Sequence, residues 1–213
     1  MLGTRIKVCG ITSPADAKLC MTHGADYLGL IFAESPRRVT VEAARPIRDA
    51  VLNAILVGVF ADMPVDEVAR IARACGLDMI QLHGNESPLY CNALHGQLSL
   101  PVIKAVRASQ IGSGNDLKQY KRTSYFLFDL DKGAAAQRHN GPRDVREDLW
   151  RRAAAMRRRG YRIFLAGGLD VTNVREAVAN VEPYGIDVAR GVEKSPGVKD
   201  PQTLRRFIKA VKP

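Results

Sequence analysis

The chain of 213 residues has only four cysteines, few aromatic residues and no long apolar run. The cysteines form no Cys-x-x-Cys pair, which argues against a zinc site, and in a reducing compartment we expect free thiols. No run approaches the roughly 18 apolar residues of a membrane helix, and Arg5 and Lys7 interrupt the N-terminal segment before a signal-like apolar region forms. These absences predict a cytoplasmic protein with no membrane partner and no metal.

Acidic residues are outnumbered, with 22 against 32 basic ones and a formal net charge of +10. This excess favours an anionic partner: a nucleic acid, an acidic lipid or a phosphorylated small molecule. The densest basic run joins Arg151 and Arg152 to residues 157–159 on one predicted helix, where charges usually form a solvated face. Aromatic residues are 6% of the chain and supply no stacking platform beside that run, which argues against nucleic acid.

Short apolar segments alternate with helical patterns along the whole chain. Eight of them are rich in Val, Ile, Leu, Phe or Tyr, as buried strands are: 5–9, 27–32, 55–60, 79–83, 102–106, 125–129, 162–166 and 185–189. Eight strands alternating with helices predict one (β/α)8 barrel domain spanning residues 1–213. The rival is an open doubly wound sheet, which normally has a glycine-rich turn after its first strand, where this chain has only Gly10.

Helix signals fill most of the gaps between these segments. Ser13 followed by Pro14 predicts a helix start that Gly24 ends, and Thr172 is the candidate cap of a later helix. Pro46 should bend or delay the second helix. Between residues 106 and 125 the helical pattern is weak, so we expect a short helix or none there.

Two reactive side chains stand at predicted strand ends, where the chemistry of a barrel is found. Cys9 ends the first strand and Asp129 the sixth, so a thiol and a carboxyl would face each other across the mouth as base and acid. The simpler interpretations are a small buried hydrophobe for Cys9 and a loop-capping residue for Asp129. Asp131 competes for the role of Asp129.

Further polar residues and glycines follow other strands. Gln81 and His83 share a face at the end of the fourth strand, where we expect hydrogen-bonding, pocket-lining side chains rather than catalytic ones. Phosphate is expected after strands seven and eight, where glycines let backbone N–H groups approach an anion. The residues predicted to bind it are Gly167, Gly168, Arg190 and Gly191, and the alternative is two tight turns with no ligand.

Several segments, in order along nearly the whole chain, match one family: KVCGIT (7–12), GLIF (29–32), SPR (35–37), VGVF (57–60), QLHG (81–84), AGGL (166–169), DV (187–188) and GVE (191–193). Together they resemble phosphoribosylanthranilate isomerase, which performs an Amadori rearrangement in tryptophan biosynthesis. The resemblance implies an aldose–ketose isomerase that needs no cofactor and acts on a small phosphorylated anion.

The resemblance also implies residue roles. Cys9 matches the base that removes the C2′ proton, Asp129 the acid that protonates the furanose oxygen, and Arg37 the group that contacts the anthranilate carboxylate. Gly168 and Gly191 match phosphate-binding positions. A thiol needs help to act as a base at neutral pH, and Lys7 could supply it. Asp129 would need partial burial to hold its proton.

The chain departs from the family pattern at two places. The family usually has a glycine cluster after its strand-six aspartate, whereas residues 130–143 here are basic, and it usually has Ser-Ser where Ala189 and Arg190 stand. These departures leave open a paralogous barrel that acts on, or only binds, a different phosphorylated molecule. The sequence allows either a monomer or a homodimer.

Overall fold

The computed structural model describes residues 3–110, 116–130 and 143–212. Within them, eight parallel strands close into a barrel in chain order. The strands are β1 (Arg5–Cys9), β2 (Tyr27–Ile31), β3 (Ile55–Phe60), β4 (Met79–Leu82), β5 (Val102–Arg107), β6 (Tyr125–Asp129), β7 (Ile163–Leu165) and β8 (Gly185–Val188). An antiparallel hairpin, β9 (Glu193–Ser195) and β10 (Val198–Lys199), follows β8.

Closure of the sheet confirms the predicted barrel and excludes the open sheet. Strand β1 pairs with β2 on one side and with β8 on the other, so that Lys7 lies opposite both Tyr27 and Asp187. An open sheet would leave β1 or another strand with an unpaired edge, and each of the eight strands has two neighbours.

Within the described ranges, seven α-helices lie in the gaps between strands or after the last one. They are α1 (Pro14–His23), α2 (Val41–Ala50), α3 (Val65–Cys75), α4 (Pro88–Gln97), α5 (Arg143–Arg158), α6 (Val174–Val181) and α7 (Pro201–Val211). Between β5 and β6 the described residues form only two short 3₁₀ segments, Ala108–Gln110 and Asp116–Gln119, as the weak pattern predicted. No helix in the described ranges combines the length and apolar character needed to cross a membrane.

The helix ends mostly follow the predicted signals. The Ser13 side chain accepts a hydrogen bond from the Asp16 N–H, and Gly24 ends α1 in the left-handed conformation with φ 102°. Helix α2 starts at Val41 and continues through Pro46, so Pro46 does not delay it, and the bend stays a prediction. One expectation was wrong in detail. Helix α6 starts after Asn173, because Thr172 donates its N–H and hydroxyl to Asp170 instead of capping the helix.

The barrel interior is filled rather than open. The inward side chains include Tyr27, Val57, Met79, Leu127 and Phe164, all buried. At the N-terminal end, the Tyr27 and Tyr184 hydroxyls are 2.7 Å apart and help to close the barrel. The opening that remains is at the C-terminal ends of the strands, and the candidate site lies there.

Candidate active site

A cavity of about 230 Å³ occupies the C-terminal mouth of the barrel. Its lining is formed by Arg37, Asp129 and residues 166–169 and 187–191. It therefore brings together Asp129, Arg37 and all four residues predicted to bind phosphate. Cys9, Gln81 and His83 are not part of its lining, although the His83 Nε2 lies 3.5 Å from the Oδ2 of Asp129, which is.

Cys9 lies below the mouth, and its side chain points into the barrel. If Gly29 on the neighbouring strand β2 had a Cβ, that atom would lie 2.7 Å from the Cys9 Sγ and 3.0 Å from the Lys7 Nζ. The missing side chain at Gly29 thus makes room for both groups. The Lys7 Nζ donates to the Asp187 Oδ1 at 2.8 Å, and Asp187 lines the cavity. Cys9 is therefore linked to the cavity through the Lys7–Asp187 ion pair.

Burial controls the charge of the Cys9 thiol. It raises the pKa of Cys9 above its ordinary value, because the thiolate would lie in a desolvated site. Lys7 acts in the opposite direction through its charge and a hydrogen bond, and Lys199 adds a smaller contribution of the same sign. The expected help from Lys7 is present, but burial outweighs it. Burial also opposes protonation of Lys7, but Asp187 and Cys9 overcome it and raise the pKa of Lys7, which stays an ammonium.

Asp129 has one oxygen held by the backbone and one beside a histidine. Its Oδ1 accepts from the Leu130 N–H at 2.8 Å, so the loop-capping interpretation is also partly correct. Its Oδ2 lies 3.5 Å from the His83 Nε2. The side chain of Asp129 is 30% exposed. The competing Asp131 lies outside the described residues.

Gln81 holds the ring of His83 by a hydrogen bond. The side-chain amide of Gln81 lies 2.8 Å from the His83 Nδ1, and the other ring nitrogen, Nε2, faces Asp129. Gln81 is almost fully buried, whereas His83 is partly exposed at the edge of the mouth.

The turns after β7 and β8 form the other side of the cavity. Gly167 and Gly168 have φ values of 90° and 67°, a left-handed pair that only glycines adopt without strain. Gly191 packs against the carbonyl of Leu169, where any side chain would collide with the backbone. The buried Asn173 donates its side-chain N–H to the Gly168 carbonyl at 2.9 Å and accepts from the Asp170 N–H. The two turns are thus packed together next to Arg190.

Arg37 reaches the mouth from the loop after β2. Its Cδ lies 2.5 Å from the place where a Cβ of Gly10 would be, so its stem crosses the chain just after Cys9. Its Nε and Nη2 donate to both oxygens of Glu193, at 2.9 Å to Oε1 and 2.7 Å to Oε2. Among the described residues, no His, Cys, Asp and Glu side chains form a group of three or more that could hold a metal ion.

A family model described as N-(5'phosphoribosyl)anthranilate (PRA) isomerase matches residues 6–210 of the chain. The chain belongs to the PRA isomerase family. An N-(5'-phosphoribosyl)anthranilate isomerase of Geobacter sp. (strain M21) is 44% identical over 211 residues, which is 98% of both proteins. A crystal structure of the Thermus thermophilus isomerase is 34% identical, with a TM-score of 0.81 and 98% of both chains covered. Another solved PRA isomerase, in complex with reduced 1-(o-carboxyphenylamino)-1-deoxyribulose 5-phosphate, is 31% identical, with a TM-score of 0.81 and the same coverage.

Membership of the PRA isomerase family confirms the resemblance found in the sequence. Of the two departures, Arg190 lies in the cavity lining, while residues 131–142 are outside the described part of the chain. Sequence reasoning gave no role to four residues that hold the site together: Asn173, Asp187, Glu193 and Lys199. The available signals were the DV and GVE segments at 187–188 and 191–193, which belonged to the resemblance without suggesting a contact.

Proposed function

We propose that the protein converts N-(5'-phosphoribosyl)anthranilate into 1-(2-carboxyphenylamino)-1-deoxyribulose 5-phosphate, as a cytoplasmic enzyme of tryptophan biosynthesis. The main observation is the mouth cavity, which joins an acid, an arginine and two glycine turns and is linked through the Lys7–Asp187 ion pair to a buried thiol. The full-length similarity to PRA isomerases supports the same conclusion. The number of subunits, one or two, stays a prediction.

The substrate has two anionic ends, and the cavity offers a cationic group for each. The phosphate would bind at the turns after β7 and β8, where backbone N–H groups of Gly168 and Gly191 and the Arg190 guanidinium favour an anion. The anthranilate carboxylate would pair with Arg37, whose planar guanidinium suits a planar carboxylate. Binding at both ends would place the ribose between Cys9 and Asp129.

The reaction then needs one acid and one base. Asp129 would protonate the furanose ring oxygen as the bond from this oxygen to C1′ breaks, and the nitrogen lone pair would form a Schiff base at C1′. The Cys9 thiolate would take the C2′ proton, and the electrons of that bond would form an enolamine. Loss of the enol proton and protonation of C1′ give the ketose. C2′ is oxidised and C1′ reduced within one molecule, so the enzyme is an intramolecular oxidoreductase and the step needs no external electron carrier.

Complementation tests the function directly. Expression in a tryptophan auxotroph that lacks its own isomerase should restore growth without tryptophan, and Asp129→Asn should not. The purified protein should convert the substrate, followed through the fluorescence of the anthranilate group. A folded, soluble wild type that fails both assays would rule out the proposed function.

Arg190 favours one alternative, a barrel that acts on or only binds a different phosphorylated molecule. Arginine at this position, where the family usually has serine, adds charge at the phosphate end of the cavity. Conversion of other aldose-phosphate amines without conversion of the anthranilate compound would support a different substrate. Ligand affinity that survives Cys9→Ala and Asp129→Ala, with no turnover by any form, would indicate a binding protein.

A further inference from the structure

The hairpin that follows β8 places two charged residues, Glu193 and Lys199, at the end of β1. Both are buried, with side chains 3% and 0% exposed. The Lys199 Nζ donates to the Glu193 Oε1 at 2.8 Å and to the carbonyl of Cys9 at 2.6 Å. The hairpin is tied to the same region by the Thr12 hydroxyl, which donates to the Gly197 carbonyl at 2.6 Å.

Glu193 accepts hydrogen bonds both from the hairpin and from Arg37. Its Oε1 accepts from the Arg37 Nε, the Lys199 Nζ and the Gly197 N–H, and its Oε2 accepts from the Arg37 Nη2. Burial opposes ionisation of Glu193, but the hydrogen bonds from Arg37 and Lys199 outweigh it and lower the pKa of Glu193. Two cations against one carboxylate leave this cluster of three side chains with one net positive charge.

The way in which Glu193 binds Arg37 decides which N–H groups of Arg37 are left to bind a ligand. Glu193 takes the side of the guanidinium formed by Nε and one hydrogen of Nη2. The end of the guanidinium, formed by Nη1 and the second hydrogen of Nη2, is a second pair of parallel donors. Within the described ranges, no residue accepts a hydrogen bond from Nη1. Arg37 lines the cavity, so this end is the part of its guanidinium that a ligand can engage.

We propose that Glu193 is a positioning residue that fixes the guanidinium of Arg37 so that its free end meets the substrate carboxylate, with Lys199 anchoring Glu193 to the strand that contains Cys9. The inference rests on the proposed function, since it takes the anthranilate carboxylate as the partner of Arg37. The buried carboxylate of Glu193 would thus fix the position of the Arg37 guanidinium relative to Cys9. Without it, Arg37 would be free to adopt other rotamers, and its pairing with the substrate would cost more conformational entropy.

The test is a double-mutant cycle with Glu193→Gln and Arg37→Ala. Glu193→Gln keeps the size of the side chain but loses its charge, and we expect the KM for N-(5'-phosphoribosyl)anthranilate to rise on the order of tenfold while kcat changes less than about threefold. In the Arg37→Ala background the same substitution should raise KM no further, because Glu193 acts through Arg37. Glu193→Asp, which keeps the charge on a shorter side chain, should lie between wild type and Glu193→Gln.

Glu86→Gln is the matched control. Glu86 is also a buried carboxylate paired with a lysine, at 3.0 Å from the Lys104 Nζ, but it does not contact Arg37. The Glu86→Gln variant should have a lower Tm, as Glu193→Gln should, but its KM should stay within about threefold of the wild-type value. The inference would be overturned if Glu193→Gln raised KM by the same factor in wild type and in the Arg37→Ala background. An unchanged KM in folded Glu193→Gln would also overturn it.

The failure of the proposed function would be visible separately. A wild type that does not convert the substrate rejects that function, and the inference is then judged on the Kd for free anthranilate, measured by titration calorimetry. The Kd should rise in Glu193→Gln and not rise further when Arg37→Ala is added. The same Kd in all four proteins, or no binding by wild type, would overturn it. If Glu193→Gln does not fold, Glu193→Asp replaces it in both measurements.

Discussion

Cys9 combines two properties that oppose each other. As the proposed base it must lose its proton, yet burial raises the pKa of Cys9 and keeps the thiol form dominant at neutral pH. Two neighbours of opposite charge tune this balance, since Lys7 lowers the pKa of Cys9 and Asp187 raises it. The thiolate that the proposed reaction needs is therefore a minority form whose amount depends on these two side chains.

This balance predicts a pH dependence of activity. The fraction of thiolate grows tenfold per pH unit below the pKa of Cys9, so kcat/KM should rise with pH and level off only above the ordinary thiol value of about 8.5. Lys7→Met removes a charge that favours the thiolate and should move the inflection to higher pH. Asp187→Asn removes a charge that opposes it and should move the inflection to lower pH. Shifts of both variants in the same direction would contradict this account of Cys9.

Removal of the thiol should abolish most of the activity without unfolding the protein. Cys9→Ala deletes one buried atom, and we expect kcat to fall by about 10²- to 10⁴-fold, the usual contribution of a general base. Cys20→Ala is the control, because Cys20 is a buried packing residue of α1 whose pKa burial raises to about 12. Steady-state kinetics with thermal melts should show a similar Tm for both variants and near-normal kcat for Cys20→Ala only. Equal kcat values would remove Cys9 from the mechanism.

Among the elements, the two turns after β7 and β8 supply the proposed phosphate site, and Arg190 contributes its side-chain charge. Arg190→Ala should raise the KM for substrate about tenfold and weaken inhibition by inorganic phosphate by a similar factor, while kcat changes little. Arg175→Ala, which removes an exposed arginine from the neighbouring helix α6, should change neither value. A similar loss in both variants would mean that net charge, rather than a contact at the turn, governs affinity.

The sequence was informative for elements whose signal is local. Eight apolar segments, the glycine at the end of α1 and the glycine pair after β7 each depend on neighbouring residues, and all were predicted. The hairpin β9–β10 was not predicted, because its strands of three and two residues give no periodic pattern. Contacts that span the chain also escaped prediction. Glu193 lies 156 positions from Arg37, and nothing local to either residue reveals the other.

The whole molecule depends on closure between its first and last strands. Because β1 pairs with β8, no strand of the described barrel can detach without breaking hydrogen bonds to its neighbouring strands. The inward side chains of separate strands also share one interior, in which the Phe164 ring contacts those of Tyr27, Tyr125 and Tyr184 at centroid distances of 5.4, 5.6 and 5.4 Å. Both features predict a single folding unit over residues 1–213.

Equilibrium unfolding in denaturant tests this prediction with two probes. Trp150, the only tryptophan, is buried in α5 and reports on packing of that helix, while far-UV circular dichroism reports on all helices and strands. The two transitions should coincide, and Phe164→Ala should shift both equally, by about 3–5 kcal/mol, because it leaves a cavity between strands from both ends of the chain. Leu89→Ala removes a side chain that is 78% exposed on α4 and should shift neither by more than about 0.5 kcal/mol. Separate midpoints, or a Phe164→Ala shift seen by one probe alone, would divide the chain into more than one unit.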